Sequence, residues 1–344
     1  MYNIKGAPFR YKGAINVEDC KTSQDVMEKA GLDWEVAKCE LVAKMPGLIT
    51  DKDRDDNGFL YGGDYYKTCP NAFATFRTDH NIPLGVVKER YTIVQNIEAF
   101  SFFDNAIGKN KAIWQTAGFF GNGERIFVSA KLPDYILVNG NPVENYLVFT
   151  TSHDGSSGVK ILFTPIRIIC QNTLNAAIKQ TSNYVSFRHT TSVHKNIDIA
   201  SEILGICKER TQFLTEQYTA MANIKMKDEE VYKLFGDVIL SDNELVQLKY
   251  TGHTITQLVN KNWRAIEDSG ISMKKANVLN EMANYYVTGP GQKDIAGTAW
   301  GAYGAITGYY SNVDNSIGIK RMDSLLFGDK ARKIETSGNL LLAA

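Results

Sequence analysis

The sequence lacks the features that mark an exported, membrane-spanning or disulfide-bonded protein. Its amino terminus, MYNIKGAPFRYKGAINVEDC, has no basic start followed by an apolar run, and no apolar stretch approaches about 18 residues. The five cysteines are odd in number, widely spaced and free of any C-x-x-C pair, which indicates neither a disulfide framework nor a thiolate zinc site. These absences predict a cytoplasmic protein that does not enter a membrane.

Several sequence motifs of well-known enzyme classes are also missing. There is no Walker loop, no G-x-G-x-x-G after a strand, no H-E-x-x-H and no G-x-S-x-G, so nothing indicates a cofactor. The 38 basic and 38 acidic residues cancel, and a global positive field that would attract nucleic acid is therefore excluded. Any binding of polyanions has to come from a local patch.

The order of elements indicates an α+β fold. GNG at residues 121–123 joins two alternating strands into a hairpin, and the runs 146–151 and 159–170 are apolar on nearly every residue, as in strands covered on both faces. Helical periodicity follows over 171–180, 194–224, 228–239, 253–268, 273–286 and 294–311. The pattern predicts an antiparallel meander sheet with hairpins packed against helices, followed by a helical C-terminal region. We divide it into an α+β core domain over 1–225 and the helical region over 226–344.

One acidic loop has the spacing of a calcium site. Asp53, Asp55, Asn57 and Asp64 fall at positions 1, 3, 5 and 12 of a calcium-binding loop, with Gly58 at the turn. Position 12 is Asp rather than the longer Glu, and no amphipathic helix flanks the loop. A solvated hairpin tip is the alternative to a metal site.

A few polar side chains have the chemistry of catalytic groups. His153 and Asp154 lie in SHDGS at a strand end, and His189 follows another strand. Cys170 stands between an apolar strand and a predicted helix, where a thiolate would be stabilised. The competing interpretations are a turn whose side chains bond the backbone, and a buried structural cysteine.

Cations and rings on the predicted strands indicate a binding surface. Arg125, Phe127 and Lys131 share one face of a strand whose other face is core, and that face is basic and aromatic. Lys160, Arg167 and Arg188 add cations on otherwise apolar strands. Such cations either pair with carboxylates or meet an anionic ligand such as phosphate. The rings in GTAWGAYGAITGYY either pack closely between helices or offer a stacking surface for bases.

Several blocks in order resemble one family. They are AGLDWEV, FRTDHNIPLGVVKERYTIVQNIEAF, TTSHDGSSGVKILFTPIRIICQNTLNAAI, FRHT and GTAWGAYGAITGYY, over about residues 25 to 330. Together they resemble the phage/plasmid-like proteins, the domain of unknown function numbered 932. Polar signature residues of that family match here as Asp79, Tyr91, Asn96, His153, Asp154, Arg167, Gln171, Asn172, Arg188, His189, Thr298 and Trp300. The chain departs from it at Gly304, where relatives often carry Asn.

The resemblance implies a protein carried by phages, prophages or plasmids in a bacterial cytoplasm, without an established catalytic activity. We expect a DNA-metabolism protein that binds and anneals single-stranded DNA through a basic, aromatic groove, as a homo-oligomer. The alternative is an enzyme that acts on a phosphorylated or nucleic-acid substrate, with a pocket formed by His153, Asp154, Cys170, Asn172, Arg188 and His189.

Overall fold

The computed structural model describes residues 8–46, 58–107, 113–167, 172–173, 184–197 and 207–343. In these ranges the strands are β1 (Ala14–Asn16), β2 (Val36–Lys44), β3 (Gly58–Tyr61), β4 (Asp64–Arg77), β5 (Ile82–Val87), β6 (Ile113–Phe120), β7 (Arg125–Val138), β8 (Asn141–Ser152), β9 (Val159–Arg167), β10 (Asn172–Thr173) and β11 (Tyr184–Phe187). The helices are α1 (Ser23–Ala30), α2 (Asn96–Ile107), α3 (Cys207–Asn223), α4 (Asp228–Ile239), α5 (Asp242–Tyr250), α6 (Ile255–Val259), α7 (Trp263–Ser269), α8 (Met273–Thr288), α9 (Ala299–Gly308), α10 (Gly318–Leu326) and α11 (Asp329–Ala343). A 3-10 turn covers Pro8–Arg10, and a π-helical turn covers Tyr309–Val313.

The strands form two antiparallel sheets. The larger sheet has the order β1-β6-β7-β8-β9-β10, and β11 also pairs with β9. The smaller sheet has β4 at its centre, with β2 on one side and both β3 and β5 on the other. Gly121 and Gly123 have positive φ angles of 62° and 119° at the β6–β7 turn, which confirms the hairpin that GNG predicts.

Both faces of the larger sheet are covered by apolar side chains. On one face Ile126, Val128 and Phe149 join a large core that continues into α2, α3 and the later helices. On the other face Phe127, Val148 and Leu162 pack with Met322 and Leu326 of α10. This double cover explains why the strands from β7 to β9 are apolar on consecutive residues.

The helical region is built around α9, whose residues are all buried. Trp300 and Tyr303 stack at a ring-centroid distance of 5.9 Å, and Tyr218 of α3 lies 4.9 Å from Trp300. A Cβ atom at Gly301 would lie 2.3 Å from the carbonyl oxygen of Ile295, so only glycine permits this close backbone approach. The rings of GTAWGAYGAITGYY therefore pack between helices and are not exposed for stacking on bases.

The α+β fold and the helical C-terminal region are confirmed, while several local predictions are wrong. Residues 253–268 form two helices because Asn262 begins a new one, with its Oδ1 accepting from the amides of Arg264 and Ala265. Asn172–Thr173 is a strand paired with β9, not part of a helix. The cap of α1 is Thr22, whose hydroxyl accepts from the Asp25 amide at 3.1 Å. The domain boundary near 225 stays a prediction.

A membrane-crossing helix would need a long apolar stretch, and no helix within the described ranges has one.

We expect Gly301→Ala to destabilise the protein. Alanine is intrinsically better in a helix by about 1 kcal/mol, but the new methyl group would overlap backbone that cannot rotate away, at a cost of about 1–3 kcal/mol. The free energy of unfolding, measured by urea titration, should therefore fall. A variant as stable as the wild type would show that the backbone at residues 295–296 is free to move away from α9.

Candidate functional site

The face of β7 that carries Arg125, Phe127 and Lys131 does not line an open groove. Phe127 is only 1% exposed and packs edge-on against Phe9, with ring centroids 5.4 Å apart. Arg125 Nη1 lies 2.6 Å from a carboxylate oxygen of Asp323, and Lys131 pairs with Glu144. The expectation of an exposed surface fails here because α10, which is distant in sequence, covers this face of the sheet.

The other predicted cations lie in different surroundings. Lys160 is half-buried on the same covered face, with its Nζ 4.6 Å from the centre of the Phe327 ring, and burial lowers the pKa of its ammonium group. Arg167 lies in β9, but its side chain is outside the described part of the chain. Arg188 is exposed and lines a pocket. The predicted cations with described side chains therefore do not converge on one surface.

The possible calcium loop falls largely outside the described residues, which do not include Asp53, Asp55 and Asn57. Asp64, the expected last ligand, is placed in β4 and accepts a hydrogen bond from Lys44 Nζ at 2.6 Å. Where the structure is described, no group of three or more His, Cys, Asp or Glu side chains is arranged to hold a metal ion. The calcium hypothesis stays a prediction.

Neither Cys170 nor Asp154 is placed by the structure as a catalytic group. Cys170 lies outside the described residues. Asp154 shapes the turn between β8 and β9, because its Oδ1 accepts from the Ser156 amide at 2.8 Å. Ser152 supports the same turn, with its hydroxyl donating to the Ser157 carbonyl at 2.7 Å and accepting from the Ser157 amide at 2.9 Å. The interpretation of SHDGS as a backbone-bonded turn is thus supported.

His153 is a fully buried, neutral side chain. The Nδ2 atom of Asn96 donates to the carbonyls of Leu32 and Trp34, so its Oδ1 faces His153 Nε2 at 3.0 Å. Because Oδ1 can only accept, the imidazole carries its proton on Nε2. Nδ1 then carries no proton and has no hydrogen-bond partner within the described ranges. Burial lowers the pKa of His153 to about 3, so it is not a proton donor near neutral pH.

Asn96 thereby has a different role from the helix cap that its residue type predicts. It begins α2, but its side chain connects the 32–34 segment to His153 instead of bonding the first turn of its own helix. The sequence signal of a capping residue cannot distinguish these two uses, because both depend on the same short amide side chain.

His189 is the residue that connects the most segments around the pocket. Its Nδ1 donates to the Thr92 carbonyl at 2.9 Å, and its own carbonyl accepts from the Thr92 amide at 3.1 Å. Nε2 lies 3.1 Å from the Thr151 hydroxyl, which can donate to it when the ring is neutral. Burial lowers the pKa of His189 as well, and nearby His194 adds to the effect. The ring of Tyr91 stacks on it at 4.5 Å.

A pocket of about 470 Å³ opens beside His189. Three exposed cations line it, namely Lys88 and Arg90 from the segment after β5 and Arg188 from the segment after β11. None of the three side chains forms an ion pair with another residue in the described ranges. Ser157 and Thr190 contribute to the lining too. We call this feature the cation pocket.

The segment that carries Lys88 and Arg90 is held in place by its backbone. Lys38 Nζ donates to the carbonyls of Glu89 and Tyr91 at 2.8 Å and 3.3 Å. The Oδ1 atom of Asn71 accepts from the Glu89 amide at 3.0 Å. The Tyr91 hydroxyl donates to the Ser152 carbonyl at 2.6 Å, and burial raises the pKa of this phenol, so it stays protonated. The pocket wall is therefore ordered before any ligand arrives.

The sequence analysis identified Arg188 and His189 but missed Lys88 and Arg90. A run of alternating charges such as KER after a strand is typical of a solvated loop. The site can be recognised only in the folded protein, where Arg188 lies beside Lys88 and Arg90. The arrangement can bind an anion, since two hydroxyl residues and three cations without an ion-pair partner among the described residues surround one opening.

We expect the buried histidines to make stability depend on pH. Because the pKa of His153 is about 3 in the folded protein and near the ordinary 6.5 when unfolded, the unfolded state binds more protons between these values. Stability is therefore highest above about pH 6.5 and falls as the pH decreases. At about pH 5.5 the loss from His153 alone should be about 1 kcal/mol, measured by urea unfolding and compared with about pH 7.5.

The matched variants are His153→Gln, which removes the buried titrating group, and His80→Gln, which changes a histidine whose side chain is 70% exposed. The difference in unfolding free energy between the two pH values should shrink in the first variant and stay at the wild-type value in the second. An unchanged difference in His153→Gln would show that the pKa of His153 is the same in the folded and unfolded protein, and would contradict the prediction.

Comparison with known proteins gives one match. The family model described as Domain of unknown function (DUF932) matches residues 83–342, which include the cation pocket, both buried histidines and the helical region. No curated protein and no solved structure matches the chain. The resemblance found in the sequence is thus confirmed at the level of the family, whereas an origin in phages or plasmids stays a prediction. The chain belongs to the DUF932 family.

Proposed function

We propose that this protein binds single-stranded DNA and holds the phosphate backbone of the strand at the cation pocket. The observation that carries the proposal is the convergence of Lys88, Arg90 and Arg188 on one opening without acidic partners in the described ranges. The exposed Glu89 stands between Lys88 and Arg90 in the sequence, but none of the three cations is held in an ion pair within the described ranges, and this leaves them available to an anionic ligand. Arginine in particular provides a planar fork that matches phosphate oxygens.

The surroundings of the pocket favour a single strand over a duplex. Val86 lines the same opening and is 57% exposed, so apolar surface lies next to the cations. The bases of a single strand can contact such surface, whereas those of a duplex are stacked inside it. The balanced net charge of the chain agrees with a patch that acts locally instead of a global field. Annealing by a homo-oligomer, and a role in the metabolism of mobile DNA, are further parts of this proposal.

The enzyme alternative has weaker support. His153 and His189 are buried and neutral, and the atoms that would transfer protons are bonded to Asn96, Thr92 and Thr151 or enclosed in the core. Asp154 bonds its own turn. The predicted catalytic residues with described positions therefore offer no accessible pair of nucleophile and base.

The test is the binding of a fluorescent single-stranded oligonucleotide of about 20 bases, followed by fluorescence anisotropy over a salt series from about 50 to 200 mM. The triple variant Lys88→Gln, Arg90→Gln and Arg188→Gln should bind more weakly. Its slope of log K against log salt should also be shallower by about 2, since each lost phosphate contact on a single strand contributes about 0.7.

The matched control replaces three exposed lysines of the helical region, Lys249, Lys274 and Lys320, with Gln, which removes the same charge elsewhere. It should keep both the affinity and the slope of the wild type. Equal losses in the two triple variants, or no binding by the wild type even at low salt, would contradict the proposal. Full displacement by thymidine monophosphate would instead identify a pocket for a small phosphorylated ligand.

A further inference from the structure

The outer half of the smaller sheet carries aromatic side chains on one face. The register pairs Phe59 with Tyr66, Tyr66 with Lys44, and Tyr61 with Asp64. Residues paired across antiparallel strands project to the same face, and so do alternate residues along one strand. Val42, Lys44, Phe59, Tyr61 and Tyr66 therefore share a face, and we call them the aromatic strip.

The aromatic strip lies beyond the core of the protein. Val36, at the start of β2, is buried in the core, whereas Val42 is 39% exposed. Tyr61 is 74% exposed and Phe59 is 48% exposed. The rings of Phe59 and Tyr66 stack nearly parallel, 5.6 Å apart with 17° between their planes. Flat, accessible rings are thus presented to solvent in the part of the chain that the structure describes.

The same face of β2 leads from the aromatic strip to the cation pocket. Lys38 and Lys44 lie six residues apart in β2, or about 20 Å at about 3.3 Å per residue. The register with β4 shifts between Glu40, paired with Phe73, and Val42, paired with Thr68, so the extra residues lie in β4 and the alternation along β2 keeps both lysines on one side. Lys38 is the residue that holds the Lys88–Tyr91 segment of the pocket through two carbonyls. A ligand bound at the pocket can therefore extend along this face to the rings.

The charges along this path indicate what part of a ligand it contacts. Lys44 is paired with Asp64 at 2.6 Å, and the exposed Glu40 lies between Lys38 and Val42 on the same face. The path is not electropositive and does not favour phosphate groups. Aromatic rings do favour nucleobases, which stack on them irrespective of sequence.

We propose that the aromatic strip stacks the bases of the single strand whose phosphates are held at the cation pocket. This inference rests on the proposed function and divides it between two surfaces, one for the backbone and one for the bases. The strip selects a single strand, because a duplex does not expose the faces of its bases. At about 3.4 Å per stacked nucleotide, a distance of about 20 Å corresponds to about six nucleotides.

The experiment compares two variants of similarly exposed residues on opposite faces of the same strand. Phe59→Ala/Tyr61→Ala removes rings from the aromatic strip, and Leu60→Ala changes a side chain that is 57% exposed on the other face. The double variant should lose affinity for an oligonucleotide of about 20 bases by about fivefold or more for each ring. Its slope of log K against log salt should equal that of the wild type, and Leu60→Ala should bind normally.

Three further measurements separate this inference from the proposed function. An abasic strand of the same length should bind the wild type and the double variant equally, and so should a strand of about four nucleotides, which is too short to span both surfaces. If the double variant has a lower thermal midpoint, Tyr61→Ala alone replaces it, since that side chain is three-quarters exposed.

The outcomes are distinguishable. If the wild type does not bind strands, or the pocket variant binds normally, the proposed function fails. If the pocket variant loses binding while the double variant matches the wild type, only the inference fails. Equal losses in Leu60→Ala and the double variant, or a shallower salt slope in the double variant, would also overturn the inference.

Discussion

The covering of both faces of the larger sheet is the constraint on which the rest of the structure depends. A charge enclosed between such layers is costly unless it has a partner. Arg125 accordingly meets Asp323, and the ammonium of Lys160 lies over the ring of Phe327. Neither cation is available to a ligand. On the larger sheet, exposed cations are therefore found at the ends of the strands, where the turn after β8 and the residues after β11 meet the segment after β5.

At this end of the sheet the backbone is held by hydrogen bonds from polar side chains, because regular secondary structure does not continue there. His189 bonds Thr92 in both directions, and Lys38 bonds two carbonyls of the adjacent segment. A wall that is already ordered loses little conformational entropy when a ligand binds, and this preserves affinity that a flexible loop would forfeit. His153 and His189 thus act as neutral, buried hydrogen-bonding groups that hold the surrounding backbone, and not as groups that transfer protons.

The sequence predicts those helices and turns that have a clear local pattern of apolar residues or a recognisable turn motif. The helix over 96–107, the helix over 228–239 and the GNG hairpin follow from spacing and turn chemistry within a few residues. Periodicity shows whether a strand residue is apolar, but not which remote segment covers it. For this reason the sequence alone predicts an open face around Phe127, although α10 lies on it.

The candidate site was predictable only in part for the same reason. Arg188 and His189 attract attention because they interrupt an apolar strand pattern, whereas Lys88 and Arg90 resemble any solvated loop until the fold places Arg188 beside them. The exposure of the Phe59 and Tyr61 rings cannot be predicted from the sequence either. A short alternating strand does not show whether its apolar face packs on the core or lies beyond it.

The late position of α10 in the chain has a consequence for biogenesis. The larger sheet is complete by residue 187 in its described strands, but the helix that shields Phe127, Val148 and Leu162 begins only at residue 318. During translation this face of the sheet is therefore covered only in part, by amino-terminal side chains such as Phe9, which packs against Phe127. Until the last helices emerge, that side is a natural substrate for chaperones and a place where nascent chains can adhere to one another.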